Sequence, residues 1–183
     1  MTPHQEQTVL SIAREAMERA ARGQGYTPPE GLDLPADFGG VFVTLRQGGR
    51  LRGCMGTFAP TGSLAETVAR VARMSCQDDP RFADNRITPA QLGDIRVEVS
   101  VLETPYLTDD PAATLEVGKH GVWIRQGPAS GVLLPQVAVE RRWGPEEFLK
   151  QCCVLKAGLP PLAWKDANTQ IYLFGAHIIC EPD

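Results

Sequence analysis

The residues Val41 to Thr57, reading Val-Phe-Val-Thr-Leu-Arg-Gln-Gly-Gly-Arg-Leu-Arg-Gly-Cys-Met-Gly-Thr, constrain this chain more than any other stretch. Val41–Arg46 and Arg50–Arg52 are extended runs. Gln47-Gly48-Gly49 between them offers the positive φ of a tight turn, so the stretch predicts a β-hairpin. The second run leads directly into Gly53-Cys54-Met55-Gly56, expected to form a loop with an accessible backbone. Arg50 and Arg52 alternate and should share one face of the strand. A Cys54 thiol turned to that face would meet a guanidinium, and nearby positive charge favours thiolate over thiol. The same residues also fit a plainer reading, in which Cys54 is a small buried apolar side chain and the glycines close a packed corner.

The hairpin needs a layer to pack on, and the N-terminal segment supplies a candidate. Thr2-Pro3-His4-Gln5 has the form of a helix start, with threonine as cap, proline in the first turn and glutamine three residues after the cap. Val9, Leu10, Ile12, Ala13, Ala16, Met17 and Ala20 recur at helical spacing, and Gly23 ends the run. Residues 24 to 40, rich in Pro, Gly and Asp, read as a loop crossing the surface. Ser63-Leu64-Ala65-Glu66 opens a second helix to about Ser75, with Leu64, Val68, Val71, Ala72 and Met74 inward. Its positive N-terminal end is expected near the thiol. Asp79-Pro80-Arg81-Phe82 then has two readings. Asp79 and Arg81 brace a loop while Phe82 plugs the core, or the carboxylate and guanidinium stand at a pocket rim.

Thr88-Pro89 starts a short helix to Leu92. Ile95, Val97, Val99 and Val101 alternate with Arg96, Glu98 and Ser100 as a strand with one polar face. Gly118-Lys119-His120-Gly121 reads as a turn that exposes His120, whose imidazole is a candidate proton shuttle for a cysteine. Leu134-Pro135-Gln136-Val137 ends the next strand. A third helix is expected from Trp143-Gly144-Pro145 to Ala157, capped by Gly158. Gln170 to Cys180 is a closing strand apolar on both faces and therefore central in a sheet.

Bulk properties exclude several function classes. A chain of 183 residues with net charge −4 has no general attraction to nucleic acid, local basic patches aside. Its basic residues are 14 arginines and 4 lysines, a skew that fits either anion recognition or a GC-rich coding sequence. Five cysteines, no apolar run long enough to cross a bilayer, and an acidic, helical first twenty residues point to a reducing cytoplasm. No Cys-x-x-Cys, Walker or dinucleotide motif is present, and the adjacent Cys152 and Cys153 diverge by about 100° on a helix. No metal site and no cofactor are expected.

Leu51-Arg52-Gly53-Cys54-Met55-Gly56 resembles the signature of the AMMECR family, whose fifth position is usually isoleucine. Asp79-Pro80-Arg81-Phe82, Gly118-Lys119-His120-Gly121, Leu134-Pro135-Gln136-Val137 and Lys156-Ala157-Gly158-Leu159 resemble further motifs in the family's order, over roughly Val41 to Gly175. The resemblance implies a single AMMECR-type domain over residues 1–183 with an α+β fold. In that fold a mixed, largely antiparallel sheet packs with about three main helices. A major and a smaller lobe enclose a cleft containing the cysteine loop, and the sequence marks no boundary between them. Prokaryotic members include protein A of the three-gene AmmeMemoRadiSam system, which implies work beside a Memo-like protein and a radical-SAM enzyme.

Two function classes follow. In the first the protein is a thiol-dependent enzyme with Cys54 and His120 as catalytic residues. Arg50, Arg52, Gly53, Gly56, Thr57, Asp79, Arg81 and Gln136 are then its substrate-binding residues. In the second it is a non-catalytic module that recognises a partner protein or an RNA through the arginine-rich motif, with RNA less favoured. Neither class involves a membrane.

Overall fold

The computed structural model describes residues 1–182 and divides into two compact units. The larger comprises Met1–Leu102 and the chain from His177 onward; the smaller is Glu103–Ala176.

In the larger unit, helix α1 (Pro3–Ala21) starts where the cap signals place it. Gln5 N–H donates to Thr2 Oγ1 at 3.3 Å and Thr2 N–H donates to Gln5 Oε1 at 2.9 Å. Strands β1 (Gly40–Gln47) and β2 (Arg50–Thr57) form the hairpin. Its turn uses Gly48 and Gly49 with φ of 54° and 78°, values that side chains resist. Helix α2 (Leu64–Gln77) carries a capping box, Ser63 with Glu66. A short 3-10 turn at Pro80–Phe82 and another at Pro89–Asp94 lead into strand β3 (Ile95–Leu102), which pairs antiparallel with β1. The strand order β2-β1-β3 leaves β2 at the edge.

The apolar stripe of α1 and the inward residues of α2 bury against Val41, Val43, Leu45, Val97 and Val99 in one core. Met74 is only half-buried, whereas Thr67, Ser75 and Cys76 are buried. The loop at 24 to 39 forms no helix or strand, yet Tyr26, Leu32, Leu34 and Phe38 lie against the same core. Arg14 of α1 donates from Nε to Glu181 at 2.8 Å and from Nη2 to the Ile95 carbonyl at 2.7 Å, joining the helix to β3 and to the chain after the last strand.

The smaller unit holds β4 (Tyr106–Leu107), α3 (Pro111–Thr114), β5 (His120–Gln126), β6 (Ala129–Leu133), α4 (Pro135–Arg141) and α5 (Pro145–Cys152). β5 pairs with β6 and with β7 (Gln170–Cys180), and β4 also pairs with β7, all antiparallel. The core here gathers Val122, Ile124, Phe148, Leu149, Cys152, Trp164 and Leu173. The first seven residues of β7, Gln170–Ala176, belong to this unit and its remainder belongs to the larger one. Where the chain enters and leaves the smaller unit, Glu103 N–H donates to the Gly175 carbonyl at 3.0 Å.

Two expectations change here. The third helix stops being α-helical at Cys152 and continues as a π-turn, Cys153–Ala157. A Cβ on Gly131 would lie 2.4 Å from the Ala157 nitrogen, so β6 is pressed directly against that wider turn. Leu134-Pro135-Gln136-Val137 ends β6 as expected but also opens α4, since proline suits a first helical turn. Between β4 and β5 the chain also forms α3, capped by Asp110, which accepts from Ala113 N–H at 3.3 Å. The fold class is α+β with largely antiparallel strands, as the sequence implied.

Candidate functional site

The cysteine motif is strand, not loop. β2 runs unbroken from Arg50 to Thr57, and Cys54 pairs with Thr44 of β1. Neither Gly53 nor Gly56 has positive φ. Each is needed because another group occupies the place of a side chain. A Cβ on Gly53 would stand 2.0 Å from the Ser75 carbonyl oxygen, and one on Gly56 would stand 2.2 Å from the Phe42 ring. The backbone access expected beside the thiol is thus filled by the protein's own atoms at these two positions. The contact to Ser75 also reverses the expected helix polarity. The last turn of α2 meets the motif, and its first turn lies about 17 Å further along the axis. Ser75 ties that end down: Met55 N–H donates to Ser75 Oγ at 3.0 Å, and the hydroxyl donates to the Val43 carbonyl at 2.8 Å.

Cys54 sits on an edge strand whose outward backbone groups need partners. Asp79 and Arg81 supply them. Cys54 N–H donates to Asp79 Oδ2 at 2.9 Å, and Arg81 Nη2 donates to the Cys54 carbonyl at 2.9 Å. The same guanidinium grips the carboxylate through Nε at 2.9 Å and Nη2 at 2.7 Å, while Arg81 N–H donates to Asp79 Oδ1 at 3.1 Å. Asp79 is buried, at 3% exposure. Burial alone would raise its pKa. The bonds from the Arg81 side chain, then from the Cys54 and Arg81 N–H groups, outweigh that and hold the carboxyl below its usual range. The hydrogen bond to Asp79 in turn raises the Arg81 guanidinium. Cys54 is half-buried, and its sulfur accepts a hydrogen bond from Thr44 Oγ1 at 3.3 Å.

Arg52 does not share this face. Leu45 pairs with Gly53 and Arg46 with Leu51, so Arg52 is the extra residue of a β-bulge. The bulge breaks the alternation expected of Arg50, Arg52 and Cys54. Arg52 is buried and donates to Gln47 Oε1, to the Asn85 carbonyl at 3.3 Å and to Gln91 Oε1 at 3.5 Å. Gln47 and Thr44 are three apart on β1 and face opposite ways, so Arg52 and Cys54 serve opposite faces of the hairpin. The guanidinium beside the cysteine is that of Arg81.

Arg50 and Arg52 line a groove of about 1060 Å³ with Gln47, Phe82, Asn85, Gln91, Asp94 and Arg96. Phe82 therefore borders the groove instead of plugging the core. Thr57 ends β2, and its hydroxyl accepts from Ala59 N–H at 3.1 Å. Sequence reasoning missed the amides Gln47, Asn85 and Gln91. Only Gln91 carried a signal, as the third residue after the Thr88 cap, whose N–H it accepts at 3.0 Å.

His120 and Gln136 belong to the smaller unit. His120 is buried, at 7% exposure, contrary to the exposed turn its glycine and lysine neighbours suggested. It is the first residue of β5, in register with Gly175, and its backbone N–H donates to the Glu116 carbonyl at 2.9 Å. Its Nδ1 accepts from Glu116 N–H at 3.1 Å. In the neutral ring that leaves the proton on Nε2, 3.5 Å from the Tyr106 hydroxyl. Gln136 is half-buried in the first turn of α4.

Comparison with known proteins agrees with this framework. The AMMECR1 family model matches residues 10–179. A protein of Methanothermobacter thermautotrophicus is 42% identical over 183 residues, covering 95% of this chain and 93% of its own. Protein TK0174 of Thermococcus kodakarensis is 41% identical over 186 residues, covering 94% and 88%. The crystal structure of uncharacterized protein PH0010 from Pyrococcus horikoshii superposes with a TM-score of 0.88 at 37% identity, covering 97% of this chain and 92% of that one. Motif order, fold and these likenesses agree: the chain belongs to the AMMECR1 family.

Proposed function

We propose that this protein is a thiol-dependent enzyme of the cytoplasm. Cys54 is its nucleophile or thiol carrier, and it works beside a Memo-like protein and a radical-SAM enzyme in a modification pathway. One observation carries the reading. Cys54 is half-buried and not sealed in the core, a hydroxyl donates to its sulfur, and its backbone is clamped on both sides by the Asp79–Arg81 pair. Hydrogen bonds into sulfur and a nearby guanidinium favour negative charge there, and a fixed backbone keeps the sulfur from swinging out of line. Arg81 orients and neutralises an attacking thiolate. No helix among the described residues is long and apolar enough to cross a membrane.

The other cysteines form a built-in contrast. Burial pushes the thiols of Cys76, Cys152 and Cys153 up; Cys180 is raised by burial and then by the Glu98 carboxylate. At neutral pH, iodoacetamide is therefore expected to label Cys54 ahead of all four in the folded protein, and faster than in a peptide spanning 50–58. Arg81→Gln should slow that labelling. Labelling of Cys54 no faster than the peptide would overturn the reading.

A further inference from the structure

The groove on the other side of the hairpin does not include Cys54, and it has a charge problem of its own. Arg52 lies at 8% exposure, yet among the described residues no carboxylate pairs with it. Its partners are neutral oxygens of Gln47, Asn85 and Gln91, and its Nε is buried with no acceptor. A buried guanidinium is ordinarily matched by an anion, because desolvating an uncompensated charge is costly. Arg50 and Arg96 stand exposed on the same groove, also without ion-pair partners among the described residues, against the single carboxylate of Asp94. Three guanidiniums and one carboxylate leave an excess of two positive charges.

We propose that this groove is a binding site for a phosphate monoester of a flat ring compound. Recognition here is independent of the chemistry at Cys54. A monoester carries about −1.5 to −2 at neutral pH, which matches the excess charge better than a single carboxylate does. Guanidiniums take phosphate oxygens in paired hydrogen bonds. The half-buried Phe82 ring forms part of the wall and offers a face for a flat organic portion. The volume, about 1060 Å³, leaves room beyond the phosphate itself. Arg52 holds the phosphate from below, Arg50 and Arg96 close on it from the rim, and the amides of Gln47, Asn85 and Gln91 fix the Arg52 fork in place before the ligand arrives.

Calorimetric titration of the full chain with AMP, inorganic phosphate, adenosine and benzoate tests this. AMP should bind saturably, phosphate more weakly, and adenosine and benzoate not measurably. Arg50→Ala and Arg96→Ala, both at exposed positions, should each weaken AMP by about tenfold or more. Arg52→Met should abolish binding while circular dichroism shows a retained fold. If that variant does not fold, the two rim variants decide. Absence of saturable binding by both AMP and phosphate at millimolar concentration overturns the proposal. So does an AMP affinity unchanged in the rim variants, or benzoate binding as tightly as AMP. Cys54→Ser should leave AMP binding intact, which separates this site from the thiol chemistry.

Discussion

Gly53→Ala is expected to destabilise the protein by about 3 kcal/mol or more, the upper part of the range for overpacking a tight site. The added Cβ would meet the Ser75 carbonyl oxygen at 2.0 Å and its carbon at 3.0 Å. Both are backbone atoms of the last turn of α2, so no side chain can rotate aside to make room. Moving the turn outward would also break the Ser75 hydroxyl bridge between Val43 and Met55. Gly93→Ala is the matched control: a Cβ there meets nothing within 4 Å and φ is not positive, so its stability should stay within about 0.5 kcal/mol of the parent. Urea unfolding of both variants checks the contrast. A loss below about 1 kcal/mol for Gly53→Ala would mean that the helix end yields where the geometry says it is pinned.

The second large effect is expected at Asp79. Asp79→Ala removes the acceptor for the Cys54 and Arg81 N–H groups and for two donors of the Arg81 guanidinium. Buried donors left without partners make a loss of about 2–4 kcal/mol the expected result. The half-exposed Arg81 side chain can recover water and keeps the figure from rising further. The pH dependence has a definite sign. The folded pKa of Asp79 lies below its unfolded value, so its stabilisation is complete above the unfolded carboxylate range and fades as pH falls through the folded value. The parent should lose stability on acidification more steeply than Asp79→Ala, whose acid limb should be flatter. Parallel acid limbs in urea melts at several pH values would show that the carboxylate is not what the edge strand relies on.

Much of the fold was legible because its signals are local. The two capping boxes, the alternation of β3, the Gly48-Gly49 turn and the limits of β7 all follow from residues within a few positions of one another. Asp79 and Arg81 were legible as a brace for the same reason. What escaped the sequence was decided by distant chain. Glycine looks alike whether it frees a turn or admits a neighbour, so Gly53 read as access when it was making room for a helix end that lies twenty residues on. A bulge adds one residue to a strand without altering its composition, and so the face of Arg52 could not be read. His120 looked exposed between Lys119 and Gly121, yet it starts a strand whose partner, Gly175, is far along the chain. The groove draws Gln47, Asn85 and Gln91 from separate segments, and neutral amides form no charge pattern to notice.

The division of β7 between the units bears on how this chain can vary. The smaller unit leaves and rejoins the larger at neighbouring positions, Glu103 and Gly175, so it is an interruption of the larger unit and not an extension of it. An excursion with adjoining ends can be lengthened, trimmed or exchanged with little disturbance to what surrounds it. Shortening the chain from its far end does the opposite: the first apolar anchor lost is Ile179, which sits in the core built by α1 and the hairpin. The last residues of the sequence thus complete the half of the protein that the first residues begin.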